Sequence, residues 1–243
     1  MAAVHVSVID FVLVVSIVLL GSIIQGSIGL GLNMLSAPFV ALIVPKALPA
    51  TLVLLALPIA VTTLVREHHA LDRLAIRWLL AGALPGTALG LLIVRVADAR
   101  ALAVIVGATV LGSVILSVVS PPIPTTPRTA LSAGFISNLF GTATAVGGPP
   151  LALLFQHRSG PIARSTLGAF FCVSASLSVV GYIAAGTITG DQVVLALELV
   201  PVMATGLWLS RHFHLHVDGG WLRPAMLTLS GIAGTAAIIR GIS

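Results

Sequence analysis

The sequence predicts an all-α integral membrane protein of two inverted repeats. Each repeat is a broken or re-entrant helical segment plus three transmembrane helices, about eight membrane helices in all. Three observations carry this reading. First, of 243 residues 58% are hydrophobic and only 8% charged, with a mean hydropathy of +1.14. A soluble domain carries roughly 25% charged residues, so this chain lacks the polar side chains to face water all round. Second, the apolar residues gather into runs, several near the roughly 20 residues that cross a bilayer as a helix. Third, the order of runs repeats between the two halves, with the basic residues distributed oppositely.

The runs are Val8–Ile28, Leu32–Val44, Leu48–Val65, Trp78–Val94, Ala101–Val119, Thr129–Val146, Leu151–Phe155, Ser165–Gly186, Val193–Ser210 and Trp221–Ile239. Pro45, Lys46 and Pro49 punctuate one gap; Pro121, Pro122, Pro124 and Pro127 fill another. The chain therefore divides into a first membrane repeat at 1–120, a Pro-rich linker at 121–128 and a second repeat at 129–243. Pro85, Gly90 and Arg95 recur as Pro201, Gly206 and Arg211, each 116 positions later, and Gly31 recurs as Gly147 at the same offset. The first ten residues hold Asp10 and no Lys or Arg, so no cleaved signal peptide is expected and the first run is retained structure. The single cysteine, Cys172, lies in an apolar run, forms no intrachain disulfide and reads as a packing residue.

The net charge of +5 comes from cations at the ends of apolar runs, where they set topology. No basic patch is interleaved with aromatics, so nucleic acid is not an expected partner; the lipid bilayer is. In the second half, Arg158 and Arg164 flank one loop and Arg211 and Arg223 another, whereas the loop around Asp191 holds no cation. The counterpart of the Asp191 loop in the first half, Arg66–Arg77, holds three arginines. Positive-inside logic then orients the halves oppositely. Arg66, Arg73, Arg77, Arg128, Arg158, Arg164, Arg211 and Arg223 lie inside; Lys46, Arg95, Arg100 and Arg240 lie outside, as do both termini. Inversion requires each broken segment to fit an odd number of crossings per half. Thr129–Gln156, 28 residues, is too short for two spans and reads as a re-entrant pair of half-helices. Val8–Val44 has room for a full helix and a shorter return.

The two broken segments carry the candidate site. The first reads Gln25-Gly26-Ser27-Ile28-Gly29-Leu30-Gly31-Leu32-Asn33, then Pro38; the second reads Asn138-Leu139-Phe140-Gly141-Thr142, then Gly147-Gly148-Pro149-Pro150. Glycine permits unwound backbone, and proline suits the first turn of a new helix. Irregular backbone at membrane depth is tolerated only where protein buries it or a cavity takes it. Paired breaks in inverted halves mark transporter sites. Half-helix N-termini offer N–H groups and positive dipole ends to an anion. The expected substrate-binding residues are Gln25, Gly29, Gly31, Asn33, Asn138, Gly141, Thr142, Gly147 and Gly148, with Thr144 a further donor. Helix packing alone also accounts for such residues, but less well for the pair than for either segment.

Glu198 is the one carboxylate well inside an apolar run. It should face the bundle or water and is a candidate proton-coupling group. Gly82, Gly86 and Gly90, four apart, read as a packing seam, with Pro85 kinking that helix. His212, His214 and His216 alternate beside Arg211, and His68 and His69 adjoin Glu67. No converging ligand set accompanies them, so they read as loop-end residues and no metal or cofactor is expected. Gly26-Ser27-Ile28-Gly29 loosely resembles an intramembrane serine protease motif, yet no later run holds a histidine to serve as its base.

At Gly26–Gly31 with Pro38, and at Gly141–Pro150, the chain resembles the TauE/SafE family of sulfite exporter-like permeases. Chain length, the two-half layout and the Pro-rich linker agree. The family often shows a denser glycine run than Gly29-Leu30-Gly31-Leu32. The resemblance implies export of a small sulfur-containing anion, sulfite or an organosulfonate such as sulfoacetate, across the bacterial cytoplasmic (inner) membrane. The sequence itself supplies a path with paired half-helix termini, which suits an anion, and no nucleotide-binding loop. The expectation is a secondary transporter working by alternating access, with a small anion as ligand and a homo-oligomer possible. A non-transporting membrane scaffold and an intramembrane enzyme are the alternatives, disfavoured by short loops and by the missing catalytic set.

Overall fold

In hydrocarbon, backbone N–H and C=O groups find partners only within the protein, which leaves helices as the economical way to cross. A computed structural model describes residues 7–29, 31–119, 123–213 and 222–242. Its helices are α1 (Val8–Ile28), α2 (Leu32–Ile43), α3 (Ala50–Glu67), α4 (Arg73–Val96), α5 (Ala99–Val119), α6 (Pro127–Thr144), α7 (Gly148–Phe155), α8 (Gly160–Ala184), α9 (Gly190–Phe213) and α10 (Leu222–Ile242). No strand occurs among the described residues. Among the described residues, seven helices are long and apolar enough to cross a membrane: α1, α3, α4, α5, α8, α9 and α10; α2 is a shorter apolar helix. Pro121, Pro122, His214 and His216 lie outside the described residues, as does the side chain of His212.

Several helices start before their apolar runs because polar residues build the first turn. Asp72 caps α4 by accepting from Ala75 N at 3.0 Å, and Asp98 accepts from Ala101 N at 2.8 Å. Thr126 and Thr129 cap α6 reciprocally, so Pro127 and Arg128 belong to that helix. Each such cap satisfies N–H groups the helix ladder cannot.

Cross-links fix which loops share an end of the bundle. Arg158 pairs with Asp72 at 3.5 Å and Arg164 with Glu67 at 3.1 Å, while Thr125 Oγ1 donates to Leu154 O. These join the α3–α4 loop, the α7–α8 loop and the start of α6. At the other end, Gln192 Nε2 donates to Lys46 O at 2.8 Å, Thr51 Oγ1 donates to Gln192 O, and Arg240 donates to Leu42 O. By helix direction, Arg66, Arg73, Arg77, Arg128, Arg158, Arg164, Arg211 and Arg223 belong to the first end, and Lys46, Arg95, Arg100 and Arg240 to the second. The basic residues thus partition as the positive-inside reading requires. α3 runs toward the arginine-rich end and α8, its counterpart, away from it; α4/α9 and α5/α10 are opposed likewise. The second set of helices is inverted relative to the first.

Close approach holds the sets together. α3 packs on α8, α5 on α10, α4 on α6 and α1 on α9. In the α4–α6 contact, a Cβ on Gly82 or Gly134 would overlap Leu131 O or Leu79 O, and one on Gly86 would stand 2.5 Å from Phe135 O. The backbones meet directly, which no larger residue permits. Around these seams lie fully buried Val14, Val18, Leu52, Leu55, Val106, Val110 and Leu199, with a second cluster of Leu79, Leu151, Phe155 and Phe170.

Gly82→Val should therefore lower unfolding free energy by about 1–3 kcal/mol through overpacking. Gly112→Ala, whose new Cβ meets nothing within 4 Å, should be neutral or stabilising by up to about 1 kcal/mol. Thermal unfolding in detergent reads both; equal shifts would contradict the seam.

Candidate functional site

Both breaks are built on one plan. α1 ends at Gly29, left-handed with φ 86°, whose N–H bonds Gln25 O at 2.8 Å. α6 ends at Ala145, left-handed with φ 64°, whose N–H bonds Gly141 O at 3.0 Å. Ala145 stands 116 positions after Gly29, and Gly141 116 after Gln25. α2 then begins after Gly31 and α7 after Gly147, the pair at that same offset. A left-handed alanine costs roughly 1 kcal/mol, and Ala145 holds that conformation while 6% exposed.

After each break the chain folds back along its parent helix. A Cβ on Gly21 would lie 3.1 Å from Leu32 O. A Cβ on Gly147 would lie 2.5 Å from Ser137 O and 3.2 Å from Gly141 Cα, and Ser137 Oγ donates to Gly147 O. Gly21 and Ser137 again share the offset. The N-termini of α2 and α7 are thereby drawn back into the bundle.

α6 is 18 residues long, about 27 Å, so the second segment is a re-entrant pair with one long arm and an 8-residue return. The two breaks sit at different levels. α1 follows α9 toward the arginine-rich end, with Gly26 against Ser210; α6 follows α4 the other way, with Thr142 against Gly90. The reason is arm length, which carries each break past the middle on opposite sides. α2 packs on α1, α5 and α10, and α7 on α6 and α5. What joins them is a shared core: Leu32, Ala145 and Val146 belong to one buried cluster with Val106 and Val110 of α5.

Most of the polar side chains named from sequence are engaged in holding these segments. Gln25 spans its own break: Nε2 donates to Gly29 O at 2.9 Å and Oε1 accepts from Leu32 N at 3.2 Å, capping the first N–H of α2. Asn138 Nδ2 donates to Ala83 O at 3.0 Å and to Thr87 Oγ1, tying α6 to α4. Thr142 Oγ1 bonds Ser178 Oγ at 2.7 Å, Tyr182 OH donates to Thr142 O, and Thr144 Oγ1 donates to Phe140 O. Asn33 differs. Its Nδ2 reaches Leu52 O only at 3.4 Å, and its Oδ1 is buried without a partner. One turn on, Ser36 Oγ, fully buried, has none either.

The two termini also differ in donors. Gly148 supplies the only N–H among the first three positions of α7, because Pro149 and Pro150 have none. α2 opens with Leu32, Asn33 and Met34, all bearing N–H groups. Glu198 joins neither break. It is exposed on the outer face of α9 and does not face the bundle. α1 meets α9 closely at Gly206, beside Ser22 and Leu19; earlier in α9, Leu195, Ala196 and Leu199 are buried while Val194, Leu197 and Glu198 face outward. Sequence reasoning missed Ser36, Ser137, Ala145 and Tyr182. The offset from Gly21 and Gly29 pointed at Ser137 and Ala145; nothing in the pattern pointed at Ser36 or Tyr182.

Gln25→Leu removes both bonds across the first break and should cost about 1–3 kcal/mol of stability. Gln25→Glu keeps the acceptor for Leu32 N–H and should lose less. Melting temperatures in detergent decide; an unchanged Leu variant would contradict the capping role.

No curated protein and no solved structure matches the chain. The family model described as "Sulfite exporter TauE/SafE" matches residues 13–237, nearly its whole length. With seven apolar helices long enough to span and two broken segments between them, the chain belongs to the TauE/SafE sulfite exporter family.

Proposed function

We propose that this protein is a secondary transporter that exports a small sulfur-containing anion, sulfite or an organosulfonate such as sulfoacetate, across the bacterial cytoplasmic membrane by alternating access. Family membership supplies the coarser statement, a membrane permease for sulfur anions. One observation carries the finer one: the same left-handed break recurs at matched positions in two sets of helices that run in opposite directions. Paired broken helices are how inverted-repeat transporters present helix N-termini to a substrate. The repeats at 1–120 and 129–243 rock around the two broken segments, whose returns both touch α5. The membrane potential, negative inside, itself favours outward movement of an anion.

The anion contacts centre on the start of α2. A buried polar atom without a partner is costly, and Asn33 Oδ1 and Ser36 Oγ are two such atoms on one helix face near that terminus. Their retention is accounted for if they serve a ligand: the Asn33 amide turns to donate, beside the Ser36 hydroxyl and the α2 N–H groups. Gly147 and Gly148 bring the opposing dipole end. Gln25, Asn138, Gly141 and Thr142 fix the backbone that makes the termini available.

Purified protein in liposomes loaded with labelled sulfite or sulfoacetate should show saturable flux. Asn33→Leu should lower it at least about tenfold while stability holds or rises by roughly 1 kcal/mol, because an unsatisfied buried group is removed. No flux of any small anion would sink the transporter reading. Unchanged flux in Asn33→Leu would sink the site while leaving transport standing.

A further inference from the structure

Glu198 stands eight residues into α9, about 12 Å down the helix from Gly190. With α9, about 36 Å long, centred on a hydrocarbon core of about 30 Å, the Glu198 Cα lies roughly 9 Å below the boundary, farther than a glutamate side chain reaches. The surface around it is the exterior of the bundle: Val194 is 54% exposed and Leu197 65%. No hydrogen bond or ion pair engages Glu198 among the described residues. Lipid offers a carboxyl nothing at this depth.

The exposure is built into the chain. On α4 the position 116 residues earlier is Gly82, pressed against Leu131 O of α6, and Gly86 follows against Phe135 O. On α9 these positions are Glu198 and Val202. A glycine seam like that of α4 with α6 is therefore missing from this part of α9, and the glycine contact with α1 comes at Gly206. The second half has traded a sealed seam for an open face bearing a carboxyl.

We propose that this face of α9 is the contact surface for a second copy of the chain, with the two Glu198 side chains meeting across a two-fold axis normal to the membrane. Copies inserted the same way pair α9 in parallel, so each seam residue meets itself. Val194, Glu198, Pro201 and Thr205, all exposed, recur at spacings of four, three and four, the seam of a parallel left-handed helix pair. One polar side chain on such a seam fixes register. A carboxylic acid group can both donate and accept, so it is self-complementary across the axis, and pairing takes both copies out of the lipid. A foreign helix would need its own polar group at this depth; a second copy carries it by construction.

The test uses the full chain in membranes, with Cys172→Ser as background. Thr205→Cys should form a disulfide-linked species with the mass of two chains under mild oxidant. Leu89→Cys, at the matching register of α4 and 46% exposed, should not. Glu198→Gln should retain the cross-link, and Glu198→Ala should reduce it about tenfold, the scale of one lost interhelical hydrogen bond. The proposal is overturned if Thr205→Cys stays monomeric, if Leu89→Cys links equally, if the adduct has another mass, or if Glu198→Ala links as well as the parent. None of these outcomes depends on which anion is carried.

Discussion

A helix interrupted inside a bilayer exposes several N–H and C=O groups, each costly to leave unpaired in hydrocarbon. The architecture follows from how this chain meets that cost twice. A left-handed residue ends the first arm, and its own N–H returns to a carbonyl four residues back. The chain then lies against its parent helix instead of leaving it, so the loop is sheltered by its own arm. This fold-back demands small groups where backbones touch, at Gly21 in one half and at Gly147 in the other. It also demands a parent helix long enough to shelter the return, which is why α1 and α6 are long arms and α2 and α7 short ones.

Once the breaks are fixed, the remaining packing divides into a tight and a looser half. The seam of α4 with α6 is sealed by glycines and by Asn138 reaching Ala83 O. Its counterpart, α9 with α1, keeps glycine at Gly206 and Gly26 but carries Glu198 and Val202 beyond. Interhelical association in lipid relies on close van der Waals packing, since lipid tails are as apolar as the side chains. Opening the α1–α9 contact thus disturbs less packing than opening α4–α6, and the two halves, alike in path, are not mechanically alike.

Much of this was legible in the sequence. Run lengths located the helices, and Val8–Ile28 coincides with α1. The offset of 116 aligned the breaks residue for residue, and cation placement gave their opposed directions. What sequence left open turns on three-dimensional partners. Gln25 reads from sequence as a ligand donor, and only the structure shows Gly29 O and Leu32 N beside it. Ala145 carries no left-handed signature, because its conformation is imposed by the fold-back and not by its own preference. The stagger of the breaks depends on arm length, and turn-forming residues do not measure length. Glu198 was expected to face the bundle or water on the cost of a charge in lipid; that cost also falls when a neighbour covers it from outside.

The two break termini share a path but not a chemistry. Proline removes an N–H without removing the peptide dipole, so the Pro149-Pro150 pair leaves α7 with its positive end and almost no directional donors. α2 keeps its N–H groups and adds Asn33 and Ser36, whose buried oxygens have no protein partner. A dipole end attracts negative charge of any shape, whereas hydrogen bonds discriminate among oxyanions by geometry. On the proposed function, α7 supplies attraction and α2 supplies recognition. Two inverted copies of one motif then divide the work of holding an anion, and the residues that tell one sulfur oxyanion from another gather on the first half of the chain.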